Sequence, residues 1–172
     1  MRILVTPRSL TAAGLENVPE LDPLRAAGFE LVSGPAGRTP TEEELLQLVP
    51  DVTGWLAGVE TISARVLEAA GSLRVLSRNG VGADAVDLSA AEACGIQVLL
   101  ARGANSRGVA ELAVLLTLAA LRSLPRSHTA LKDGRWERTL GRELPDITMG
   151  VVGFGAVGRL VAKLTAGMGA TV

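Results

Sequence analysis

Aromatic side chains are nearly missing from this chain: they make up 2 % of its 172 residues, and tyrosine does not occur. A surface that stacks successive bases of a nucleic-acid strand needs several rings, so that mode of binding is excluded. Cysteine and histidine occur once each, as Cys94 and His128. A lone thiol closes no internal disulfide, and the two residues together fall short of a four-ligand zinc site. Cys94 therefore reads as a small core hydrophobe. Neither sign of charge dominates: 17 Lys and Arg against 18 Asp and Glu leave a net charge of −1. No general field gathers nucleic acid or an anionic membrane. Long hydrophobic runs are also lacking, since Val109–Leu121 is interrupted by Glu111 and Thr117 and is too short for a bilayer. Pro7 arrives too early for a signal-peptide core. The expectation is a protein of a reducing, cytoplasmic compartment, with neither membrane nor nucleic acid as partner.

What is present is a regular alternation. Short β-rich runs at Arg2–Thr6, Phe29–Ser33, Val52–Ala57, Leu73–Ser77 and Ile96–Leu100 read as strands. Helical stretches lie between them: Leu21–Ala27, a helix opening at Thr41, Ser63–Ala70 and Leu88–Cys94. Thr41-Glu42-Glu43-Glu44 has capping-box spacing, and its glutamates suit the positive end of a helix dipole. Strands separated by single helices make βαβ units and a parallel, doubly wound α/β sheet. A long helix is then expected over about Asn105–Leu124, broken by Pro125 and followed by a second over Ser127–Lys132. Val109, Leu112, Leu115 and Leu116 leave the long helix almost no polar face, so a core or a partner subunit should bury it. Asp146–Gly150 leads into one more strand.

Three segments carry chemistry. Gly153-Phe154-Gly155-Ala156-Val157-Gly158 follows an apolar run and opens an amphipathic stretch, the context in which a glycine-rich fingerprint indicates dinucleotide binding. Gly153 permits the tight turn, Gly155 lets a pyrophosphate approach the backbone, and Gly158 lets helix and strand pack closely. Free N–H groups at the helix start favour phosphate charge. The second segment, Arg78-Asn79-Gly80-Val81-Gly82-Ala83-Asp84, follows a strand and so lies at the carboxyl edge of the sheet. Its glycines allow amides to converge on an anion, with Arg78 and Asn79 as side-chain donors. A tight turn with Asp84 or Asp87 capping the next helix explains the same residues equally well. In the third, Asn105 or Ser106 is a good N-cap, whereas Glu111, if buried, needs a partner. Trp136 reads as an anchor packing its loop, and His128 as a surface or satisfied residue.

Taken in order, Arg78–Asp87, Gly95-Ile96-Gln97-Val98, Asn105-Ser106 with Val109-Ala110-Glu111, Lys132–Arg138 and Gly153–Gly158 resemble the D-2-hydroxyacid dehydrogenases, particularly the phosphoglycerate dehydrogenase branch. The likeness runs over roughly residues 50–172. It implies a flavodoxin-like, parallel-sheet substrate lobe over residues 1–100, completed in the family by a returning C-terminal segment. Residues 101–172 then begin a Rossmann lobe that binds NAD, with NADP left open. It also implies that Arg78, Asn79, Val81, Gly82 and Asn105 bind a small 2-hydroxy or 2-oxo acid such as 3-phosphoglycerate. Val81, Gly153, Phe154, Gly155, Ala156, Val157 and Gly158 would hold the cofactor, and the long helix would pair two subunits in a homodimer.

Two departures stand out. Family members usually carry arginine or lysine where this chain has Ala156, and their Asn-x-Pro is here Leu100-Ala101-Arg102. The family's catalytic arginine, glutamate and histidine follow the second Rossmann strand, so no catalytic residue is expected within Met1–Val172, and turnover by these residues alone is not expected. A non-catalytic dimeric interaction module built on the same fold is the rival reading. A formate dehydrogenase is a third, disfavoured by the Lys132–Arg138 segment.

Overall fold

The computed structural model describes all 172 residues and divides into two compact units, Met1–Arg102 and Gly103–Val172. The first unit holds the strands β1 (Arg2–Val5), β2 (Glu30–Ser33), β3 (Gly54–Ala57), β4 (Val75–Arg78) and β5 (Gln97–Leu100). All pair in parallel, in the order β2-β1-β3-β4-β5. This is the flavodoxin-like order, whose direction reverses between β1 and β3. Its helices are α1 (Arg8–Thr11), α2 (Asp22–Ala26), α3 (Glu42–Leu48), α4 (Ala64–Ala69) and α5 (Leu88–Ala93).

Alternation along the strands sorts the side chains onto two faces. Leu4, Trp55 and Leu76 stand in register across β1, β3 and β4 and meet Leu45 of α3 and Val49 at its C-cap, Val66 and Leu67 of α4, and Ala91 of α5. That face is closed. The opposite face is covered over β1 and β2 by Leu15, Val18, Leu21 and Leu24. Beyond them lies an apolar groove of about 420 Å³, lined in part by Ile3, Phe29, Leu56 and Val75. A parallel sheet normally buries both faces, and here one is covered only in part.

Local sequence sets the helix starts. The Thr41 hydroxyl accepts from the Glu44 amide at 3.3 Å while the Glu44 carboxylate accepts from the Thr41 amide at 2.9 Å, completing the capping box of α3. Asp87 caps α5 by accepting from the Ala90 amide at 2.9 Å. Cys94 is not in the core. It caps the C-terminal end of α5, where the chain turns outward before β5, and is exposed; Ala91 is that helix's buried residue.

The second unit contains α6 (Ser106–Leu121), α7 (Leu124–Lys132) and α8 (Ala156–Gly167), with α6 packed on α8. The expected long helix stops earlier than its apolar pattern suggests. Ser123 takes a left-handed conformation with φ 49°, and the axis turns by 67° between α6 and α7. Pro125 sits in the first turn of α7, where its missing N–H costs nothing, so it starts a helix rather than breaking one. The strand expected before the glycine-rich segment shrinks to a bridge between Thr148 and Thr171. The Met149 amide donates to the Thr171 carbonyl at 2.7 Å, and the Thr171 amide to the Ile147 carbonyl at 3.3 Å. A strand exists only through its pairing, and this pairing extends no further. No single helix is long and apolar enough to cross a membrane.

Candidate acid-binding and dinucleotide-binding loops

In the first unit the carboxyl edge of the sheet carries the loop after β4. Arg78, the last residue of β4, stands in register with Ala57 of β3 and is only 8 % exposed. Its Nε donates to the Gly82 carbonyl at 3.2 Å, so the loop wraps the guanidinium; Nη1 is buried with no partner. An unpaired buried donor on a cation costs more than an ordinary hydrogen bond returns, and such groups concentrate where a ligand completes them. The amides of Val81 and Gly82 make no main-chain hydrogen bond, and Val81 and the Asn79 side chain are exposed. Asp87 caps α5, as the tight-turn reading expects; what that reading leaves unexplained is the orphaned Nη1 of Arg78 and the unspent amides of Val81 and Gly82.

Both ends of this loop are tied to the segment after β3. The Asn79 amide donates to the Ala57 carbonyl at 2.8 Å, the Ile62 amide to the Ala85 carbonyl at 2.7 Å, and the Asp87 amide to the Ile62 carbonyl at 3.0 Å. The crevice at the β1/β3 reversal, where ligands commonly sit in this topology, is filled by Glu60, a carboxylate only 2 % exposed. Sequence reading passed over Glu60, because an acid just past a strand normally belongs to a solvated loop.

The second unit carries the glycine-rich loop. Gly153 has φ 92°, which a side chain rarely tolerates. A Cβ on Gly158 would lie 2.0 Å from the Gly153 carbonyl oxygen, so only glycine lets α8 start this close to the preceding turn. A Cβ on Gly155 would meet nothing within 4 Å, which leaves open space over the N-terminal turn of α8. No side chain caps that turn, so its first N–H groups have no side-chain acceptor. The loop fits a diphosphate on these grounds. Phe154 and Ala156 are exposed, and Val157 is half-buried. Arg159, also overlooked in the sequence, reaches back so that Nη1 donates to the Phe154 carbonyl at 3.0 Å, placing a cation beside the loop that Ala156 leaves uncharged.

Other expectations resolve differently. Asn105 occupies the N-cap position of α6 but its side chain makes no capping bond, so it is exposed and free. Glu111 is exposed rather than buried, and its partner is Arg107 one turn earlier, at 2.8 Å. Trp136 is 76 % exposed and anchors nothing. Contacts of Arg135 with Asp133 and Glu137, and of Arg126 with Glu137, hold that loop and turn the indole outward. His128 is exposed on α7, the surface position expected of it, and no group of three His, Cys, Asp or Glu side chains is placed to hold a metal.

Comparison with known proteins places the sequence. Residues 10–171 match the family described as D-isomer specific 2-hydroxyacid dehydrogenase, catalytic domain. A hydroxypyruvate reductase of Thermotoga maritima is 38 % identical over 125 residues, covering 71 % of this chain and 41 % of the relative. A D-3-phosphoglycerate dehydrogenase of Archaeoglobus fulgidus is 41 % identical over 126 residues, covering 72 % and 24 %. The solved NAD+-bound 3-phosphoglycerate dehydrogenase of Entamoeba histolytica superposes with a TM-score of 0.78 at 26 % identity, over 99 % of this chain and 52 % of that one. The chain thus spans between a quarter and about half the length of these three relatives.

Proposed function

The chain belongs to the D-isomer-specific 2-hydroxyacid dehydrogenases, and from that membership we propose that it supplies the acid-binding loop and the start of the NAD-binding lobe of such an enzyme. Bound NAD would supply the hydride acceptor or donor for a small 2-hydroxy or 2-oxo acid, 3-phosphoglycerate being the candidate favoured by the relatives. The residues present bind and orient. Amides of Val81 and Gly82 take the substrate carboxylate, Arg78 beneath them adds charge, and Asn79 contributes its amide side chain. The main-chain N–H groups of Gly155, Ala156, Val157 and Gly158 take the diphosphate. NADP is the alternative cofactor.

The observation that carries this reading is the orphaned, buried Nη1 of Arg78 inside a loop with unspent amides. The division at Arg102 supports a substrate lobe over residues 1–100 and a nucleotide lobe beginning at residue 101. The half-covered sheet supports a further segment over Leu56 and Val75. Val109, Leu112, Leu115 and Leu116 are each at least 41 % exposed on α6, which supports a homodimer, and we place the protein in the cytoplasm. These 172 residues alone have no dehydrogenase turnover under this proposal. NADH oxidation with hydroxypyruvate or glyoxylate is the assay: a flat trace with retained nucleotide binding is expected. Measurable reduction would overturn the division of labour.

A further inference from the structure

The second buried charge at the carboxyl edge of the sheet has no cation beside it. Glu60 is 2 % exposed and forms none of the chain's ion pairs. Its Oε1 accepts from the Gly58 amide at 2.9 Å and from the Thr6 hydroxyl. That hydroxyl in turn accepts from the Trp55 indole N–H at 2.9 Å. Thr6 follows β1 and Gly58 follows β3, so the carboxylate bridges the two strand ends that flank the topological reversal. Space is closed around it: a Cβ on Gly58 would lie 2.8 Å from Glu60 Oε2 and 3.0 Å from Pro7 Cα.

A buried carboxylate without a cation is costly even when hydrogen-bonded, and an apolar side chain would fill the same gap more cheaply. What this one holds explains its place. Ala57, immediately before the Glu60 network, accepts the bond that starts the Arg78–Gly82 loop. Ile62, two residues after Glu60, forms a parallel bridge with Val86 and bonds to the main chain on both sides of it, ending the same loop. Both ends of the acid-binding loop therefore hang on residues 57–62, and Glu60 is the buried side chain that ties the middle of that segment to β1.

We propose that Glu60 is a positioning residue for acid binding: it fixes the segment after β3 so that the Val81 and Gly82 amides and Arg78 stay converged. The inference rests on the proposed acid site. Its chemistry is hydrogen-bond acceptance, so Glu60→Gln, which keeps Oε1, should act nearly as wild type, whereas Glu60→Ala leaves the Gly58 N–H and the Thr6 O–H only their longer contacts, to Thr6 Oγ1 at 3.4 Å and to the Leu56 carbonyl at 3.3 Å.

The test is an amide-resolved NMR titration of the 172-residue chain with oxalate and with 3-phosphoglycerate, following Val81 and Gly82. Glu60→Ala should weaken the ligands by about tenfold, the scale expected when buried donors exchange a good acceptor for long contacts, and Glu60→Gln should restore most of the affinity. Gly58→Ala keeps the carboxylate but displaces it and should behave like Glu60→Ala, which preserves the test if that variant fails to fold. A lower melting temperature with unchanged affinity in Glu60→Ala or Gly58→Ala makes Glu60 merely structural and overturns the inference. Wild-type chain that binds neither ligand overturns the acid site, and the inference with it. Binding by wild type that Arg78→Met abolishes but both Glu60→Ala and Gly58→Ala spare overturns the inference alone.

Discussion

Replacing Arg78 by Met should separate binding from stability. The guanidinium is 8 % exposed, donates once to Gly82, and leaves Nη1 buried without an acceptor. Losing the charged Gly82 bond costs roughly 1.5–3 kcal/mol, and removing a buried, unsatisfied donor returns roughly 1–3 kcal/mol. Met keeps most of the apolar stem. Cost and return nearly cancel, so the unliganded variant should melt close to the wild-type temperature, without the loss usual for a buried-site substitution. Ligand should tell the opposite story. At about 100 times its dissociation constant an acid stabilises the wild type by about 2.7 kcal/mol. For a chain of this size that is a rise of roughly 5–11 °C, and the variant should lose most of it. Trp55, 1 % exposed in the core of the first unit, reports unfolding there by fluorescence, whereas Trp136 is already exposed. Thermal scans with and without 3-phosphoglycerate make the measurement. A variant that loses several kcal/mol unliganded yet keeps the ligand response would show Arg78 to be a structural strut, refuting the reasoning.

Two glycines of the second unit should differ in kind. Gly155→Ala meets open space and should cost under about 1 kcal/mol of stability, yet abolish ADP-ribose binding measured by calorimetry. Gly158→Ala gains helix propensity but drives a Cβ to 2.0 Å from the Gly153 carbonyl; a net loss of roughly 2 kcal/mol should appear as faster amide exchange in α8. At α3, hydrogen bonds from the Arg38 guanidinium and then the Thr41 amide hold the Glu44 carboxyl at about 2, below its ordinary 4.5. A depressed acid contributes stability above its ordinary value and loses it as pH falls toward the folded one. Carboxyl NMR titration should find Glu44 ionised at pH 3, and Arg38→Gln should return it most of the way to the ordinary range.

Much of the first unit was legible because local rules and tertiary packing agree there. The β-rich runs became strands in a parallel sheet, and Thr41 and Glu44 formed the box their spacing promised. Disagreement arose where a residue's average habit met a particular backbone. Cys94 prefers cores but falls at a helix end, and Trp136 prefers packing but sits between two ion-paired neighbours. Helix α6 looked longer than it is because an apolar pattern runs straight through Ser123, whose left-handed conformation leaves no mark on periodicity. The glycine loop was readable since each glycine has a steric reason visible in its spacing. Glu60 and Arg159 were not, because their roles depend on partners at Thr6 and Phe154 that only the folded chain supplies.

Cofactor binding by these residues depends on the glycine turn before α8 receiving a diphosphate. Titrating the isotope-labelled chain with NADH addresses this directly: the amide signals of Gly155, Ala156, Val157 and Gly158 should move together and saturate, and adenosine, which has no phosphates, should leave them in place. If NADH leaves those four amides unshifted, or adenosine moves them as far, the assignment of this turn to a dinucleotide is wrong.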